Sequence, residues 1–117
     1  MRREEIESEL FSLLDKYENL LNEKLVVEIE SEENDSKLAD YVQETSEEVS
    51  KNPEKFSLPC GSSPARYVVM YVVKSQNEYR KLFEKKQKSK ISLMKAWNKV
   101  KIAEARIEVL KCLLKNS

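Results

Sequence analysis

The 117-residue chain has no histidine, a single glycine (Gly61), three prolines (Pro53, Pro59 and Pro64) and two cysteines (Cys60 and Cys112). Without histidine there is no Ser-His-Asp or Cys-His arrangement, and no side chain that ordinarily titrates near neutrality. Two thiols make neither a disulfide framework nor the four Cys/His ligands of a structural zinc site, so a reducing compartment is the simpler expectation. The longest unbroken apolar run, residues 67–73, has seven residues, whereas spanning a bilayer takes about 20. The N-terminal sequence MRREEIESELF is acidic after two arginines and lacks the apolar run of a signal peptide. These absences predict a soluble, cytoplasmic protein with no catalytic residues, no metal and no cofactor.

All four strong breakers fall between residues 53 and 64, leaving long stretches on either side free of punctuation. The expected fold is all-α: two short acidic amphipathic helices packed on a long basic C-terminal helix, coiled-coil-like. One domain is expected overall, with an acidic helical region at 1–58, a turn at 59–63 and the long helix at 64–115.

Residues 3–24 read as the first amphipathic helix, with Ile6, Leu10, Leu13, Tyr17 and Leu20 recurring at spacings of four and three. The β-branched content of 25–30 marks a helix end or an irregular segment. The polar 31–36 (SEENDS) reads as a turn that supplies Asp35 or Ser36 as a cap. A second helix over 37–50 would dock through Leu38, Tyr41, Val42, Thr45 and Val49, with Phe56 and Leu58 anchoring the connector that follows. Ser63 is then a natural helix cap and Pro64 a natural first helical residue, since the missing N–H of proline has no intrahelical partner there.

Beyond Pro64 one stripe runs the length of the chain: Val68, Val72, Tyr79, Leu82, Leu93, Ala96, Val100, Ala103, Ile107, Leu110 and Leu114. The alternation of three and four is that of a packing or oligomer seam. Lys86 and Ser89 interrupt it, which admits either one continuous helix or a break at 87–90. Continuity is favoured, because no glycine, asparagine or proline is available there for a tight turn. Ile102, Ala105, Val109 and Leu113 form a second apolar flank, as contact with two neighbours would require. Residues 67–73, apolar all round, call for cover from several directions. Tyr79, Trp97 and Cys112 are expected to be buried beside the stripe, and Cys60 to be a loop thiol.

The zero net charge conceals a split. Residues 1–58 hold seven Lys/Arg against 17 Asp/Glu, and residues 59–117 hold 14 against four. Residues 74–101 alone carry ten positive and two negative groups. Lys74, Arg80, Lys81, Lys85, Lys88, Lys95, Lys99 and Lys101 are therefore candidates for contact with a nucleic-acid backbone, where neutralised phosphates release counterions. Lysine predominates over arginine, so such contact would read little sequence. Carboxylate pairs such as Glu5/Glu9 and Glu44/Glu48 lie away from the apolar faces, where solvent keeps them ordinary. The PCGSS stretch, with one glycine and no base, is no phosphate loop or nucleophile site.

In outline this acidic-then-basic plan resembles accessory proteins of phages, viruses and mobile elements, recombination mediators among them, and also secretion chaperones and assembly scaffolds. No motif maps residue by residue, so the likeness implies an interaction role and assigns no site. The leading expectation is a non-enzymatic helical adaptor or scaffold with a homo-oligomeric or helical protein partner. The alternative is a non-sequence-specific nucleic-acid accessory protein. A third has the acidic half covering the basic half until a partner arrives.

Overall fold

A single helix, α1 (Arg3–Lys51, 49 residues), takes up nearly all of the acidic half in the computed structural model, which describes residues 2–59 and 63–116. A 3-10 turn follows at Pro53–Phe56, then α2 (Arg66–Ser75) and α3 (Asn77–Lys115). The class is all-α, with three α-helices among the described residues. The expected pair of short acidic helices is wrong, and so is the expected single basic helix.

Two local decisions account for both corrections. The SEENDS segment stays helical because nothing forces it to stop. Ser, Asn and Asp cost only about 0.5 kcal/mol each in a helix interior, whereas ending one helix and starting another strands backbone groups at both new termini. The β-branched 25–30 segment also continues, spanned on its surface by an ion pair from Lys24 to Glu28 at 3.3 Å. The short polar side chains then become contacts: Ser31 is buried, and the Asn34 amide donates to the Ser89 hydroxyl. The Ser89 hydroxyl in turn donates to the Lys85 carbonyl at 2.9 Å, and Lys86 pairs with Asp35 at 3.8 Å. The polar interruption at 86 and 89 is thus a polar patch where α3 meets α1, and α3 runs through 87–90 unbroken.

The basic half breaks instead at Gln76, whose backbone is extended (φ −70°, ψ 141°). No glycine or proline is involved. The Ser75 hydroxyl and the Gln76 side-chain amide both donate to the Val72 carbonyl, at 2.6 and 3.0 Å, and the Gln76 N–H donates to the Val73 carbonyl at 3.2 Å. Two side chains and one backbone N–H thereby satisfy the Val72 and Val73 carbonyls, which the end of α2 would leave open. At its other end, α2 begins at Arg66 with Ala65 in the cap position and no side-chain cap, so Ser63 and Pro64 precede the helix instead of opening it. The α1 helix stops two residues before Pro53, and Ser57 takes the left-handed conformation (φ 61°) that closes the 3-10 turn. The rest of the expected turn, 60–62, lies outside the described residues together with the Cys60 thiol.

The chain divides into two compact units. One comprises Met1–Glu30 and Lys90–Ser117, and so joins the first part of α1 to the last part of α3; the other holds Ser31–Ser89. In the first, Ile6, Val100, Ala103, Ile107 and Leu110 are buried. In the second, Val49, Val69, Val72 and Val73 form the core, with Tyr41, Val42, Phe56, Leu58 and Tyr79 packed around it. The 67–73 run is not enclosed: its valines turn inward while Tyr67 and Tyr71 stand 79% and 76% exposed.

Leu110 is fully buried and Ile102 is exposed on the same helix. Leu110→Ala is expected to cost about 2–5 kcal/mol through lost burial and a cavity, and Ile102→Ala no more than about 0.5 kcal/mol. Urea denaturation followed by circular dichroism separates the two.

Candidate interaction surfaces

In the 1–30/90–117 unit the two helix segments run antiparallel. Three contacts set their register: Arg106 donates to the Glu9 carboxylate at 2.6 Å, the Tyr17 hydroxyl donates to Glu104 at 2.8 Å, and the Lys24 ammonium sits 3.8 Å from the centroid of the Trp97 ring. Only one stripe of each helix faces its neighbour, and the seam residues of this unit occupy it. Val100, Ala103, Ile107 and Leu110 are buried, and Leu93, Ala96 and Leu114 half-buried. In the other unit Val72 is buried, and Val68, Tyr79 and Leu82 are half-buried.

The remaining two faces of the hairpin differ in character. On one, Glu9, Ser12, Leu13, Lys16 and Arg106 line a small depression of about 120 Å³. On the other, Leu14 and Tyr17 of α1 meet Glu104, Glu108 and Lys111 of α3 along a shallow groove of about 180 Å³. Leu21 and Leu25 follow Leu14 at seven and eleven residues, and Trp97 precedes Glu104 by seven, so helical periodicity places all of them on this second face. Leu14, Leu21, Leu25 and Trp97 are exposed there. The far side of α3 carries another apolar line, Ile91, Ile102, Val109 and Leu113, also exposed. Cys112 is exposed as well, contrary to the expected buried thiol. Trp97, 42% exposed, lies between two ammonium groups, Lys24 and Lys101, the latter 5.5 Å from its centroid. It is a presented ring, not a buried one.

All eight candidate nucleic-acid contacts, Lys74, Arg80, Lys81, Lys85, Lys88, Lys95, Lys99 and Lys101, are exposed. None of them takes part in the ion pairs found among the described residues. Lys81, Lys85 and Lys88, spaced four and three apart, share one side of α3 in the Ser31–Ser89 unit; Lys95 and Lys99 share a side in the other. Lys86 differs in being held by Asp35.

A further concavity belongs to the Ser31–Ser89 unit. It is an open groove of about 630 Å³ between α1 and α2, floored by Leu38, Val42, Val69 and Met70 and rimmed by Asp35, Glu47, Arg66 and Lys86. The one hydroxyl in its wall, Ser46, contacts the Met70 sulfur at 3.9 Å. No group of three or more His, Cys, Asp or Glu among the described residues is placed to hold a metal ion. No described helix is long and apolar enough to cross a membrane. Comparison with protein-family models, curated proteins and solved structures finds no match to this chain.

Sequence periodicity identified the α3 flank of Ile102, Val109 and Leu113. It missed the α1 face. The overlooked signal is that Leu14, Leu21 and Leu25 keep a spacing of seven and four of their own.

The hydrogen bond to Glu104, with desolvation and the carboxylate charge adding to it, raises the Tyr17 phenol above its ordinary value. The fold therefore favours the neutral phenol. Its contribution is complete below the unfolded-state value of about 10 and is lost as pH rises through the higher folded-state value. Between pH 9 and 12 the wild-type chain should lose stability more steeply than Tyr17→Phe, as measured by urea midpoints across that range.

Proposed function

We propose that this chain is a non-enzymatic helical assembly protein, an adaptor or scaffold that works by packing its helices against those of other subunits. One observation carries the reading. Among the described residues, 15 large hydrophobic side chains are exposed, and 12 of them belong to the Met1–Glu30/Lys90–Ser117 unit. That unit has two helix segments with which to cover several apolar stripes. Exposed apolar surface on this scale, bordered by charge, is characteristic of surfaces that meet another protein.

A second reading is supported by the eight exposed cations of α2 and α3 that take no part in the ion pairs found among the described residues: contact with a nucleic-acid backbone through Lys81, Lys85 and Lys88 on one side of α3. The third, in which the acidic half neutralises the basic half, draws little support. Only Arg106–Glu9 and Lys86–Asp35 bridge acidic α1 to basic α3 as ion pairs among the described residues.

Sedimentation equilibrium from 1 to 100 μM is expected to give a mass at least twice that of the 13.7 kDa chain. A monomer throughout that range overturns the assembly reading. Fluorescence anisotropy with a 30-nucleotide single strand and its duplex tests the second reading. Binding at 50 mM salt that weakens by orders of magnitude at 200 mM supports it, and no binding at 50 mM rejects it.

A further inference from the structure

We infer that two copies of this chain join through the Leu14–Leu21–Leu25–Trp97 face of the Met1–Glu30/Lys90–Ser117 unit, each acidic arm lying on the basic arm of the other copy. The inference rests on the assembly reading and names its partner and surface.

The charge of the hairpin selects the occupant. Its α1 arm, residues 1–30, carries four Lys/Arg against nine Asp/Glu, a net charge of minus five. Its α3 arm, residues 90–117, carries seven against two, a net charge of plus five. A partner of one sign would be attracted by one arm and repelled by the other. A second copy brings equal amounts of both signs, so the face complements itself, as a two-fold symmetric contact requires.

The same charges select between the two ways of placing two hairpins face to face. With the two-fold axis perpendicular to the helices, α1 lies on the partner's α1 and α3 on the partner's α3. Minus five then opposes minus five, and Glu18, exposed midway along the Leu14–Leu25 line, faces another acidic arm. With the axis parallel to the helices, α1 lies on the partner's α3, and every neighbouring pair in the resulting four-helix bundle is antiparallel. That rotation leaves levels along the helices unchanged. Since Tyr17 is level with Glu104 and Lys24 with Trp97 inside one chain, Leu25 comes level with the partner's Trp97. Glu18 comes within one turn of the partner's Lys101. Trp97, held by Lys24 and Lys101 yet open on this face, is the kind of side chain on which interface energy concentrates.

The test uses the full chain at low salt, with Glu18→Lys, Lys101→Glu and an equimolar mixture of the two. Each substitution alone places like charges together at two symmetric positions. Each should raise the dimer dissociation constant about tenfold, since two exposed attractive pairs become repulsive ones. The mixture should form a heterodimer with near wild-type affinity, because both positions are then oppositely charged. Circular dichroism checks that helicity is unchanged, and the rescue cannot come from misfolded chains. Tighter association of Glu18→Lys alone overturns the inference in favour of α1 on α1. A wild-type dimer whose affinity neither substitution alters overturns the inference while leaving the assembly reading intact. A wild-type chain that stays monomeric overturns both.

Discussion

A helix in a two-helix hairpin can hide only one stripe of its surface, and the 1–30/90–117 unit is governed by that limit. Ile6, Val100, Ala103, Ile107 and Leu110 fill the single seam available. Fully burying a large aliphatic side chain contributes about 1.5–3 kcal/mol relative to exposure, so a seam of this size is a modest source of stability. The hydrophobic residues that do not fit it, from Phe11 to Leu113, remain in water. A globular domain would resolve this with a third helix folded over the open face. Here the third helix, α2, belongs to the other unit and packs its valines there.

Charge does something different from packing in this protein. Acidic α1 and basic α3 run antiparallel, yet their direct ion pairs among the described residues are Arg106–Glu9 and Lys86–Asp35, with side chains between a quarter and half exposed. Pairs of that kind contribute about 0–1 kcal/mol. The separation of charge is therefore not what closes the hairpin. Its effect reaches outward over about 10 Å at 0.1 M salt, which suits the orientation of an approaching helix more than the cohesion of the fold. Inside the Ser31–Ser89 unit, a neutral contact joins α1 to α3 as well, the Asn34 amide bonded to the Ser89 hydroxyl.

The all-α class was legible in the clustering of glycine and proline between residues 53 and 64. Much of the α3 line, Val100, Ala103, Ile107 and Leu110 in particular, was legible in its alternation of three and four. What escaped were decisions made by hydrogen bonds that leave no compositional trace. SEENDS has the composition of a turn, but Asn34 and Asp35 find partners on α3 and the helix continues. Gln76 has the composition of a helix interior, yet it and Ser75 divert their side chains to the Val72 carbonyl and the helix ends. A polar residue in a seam can be an interruption or a contact, and its own helix does not say which. Trp97 shows the same ambiguity on the surface side: it adjoins the stripe closely enough to suggest burial, while two lysines hold it at the rim.

The position of that tryptophan also determines what can be seen by light. It is the only one in the chain, and it belongs to the 1–30/90–117 unit. Tyr41, Tyr67, Tyr71 and Tyr79 all belong to the other unit, leaving Tyr17 as the one tyrosine that shares a unit with Trp97. Emission excited at the red edge of the indole band is consequently a private signal of one unit, while far-ultraviolet dichroism sums the helices of both. Comparing the two signals across an unfolding transition measures whether the halves of α1 melt as one cooperative body or in succession. The chain thus carries its own reporter of coupling between its units, with no label attached.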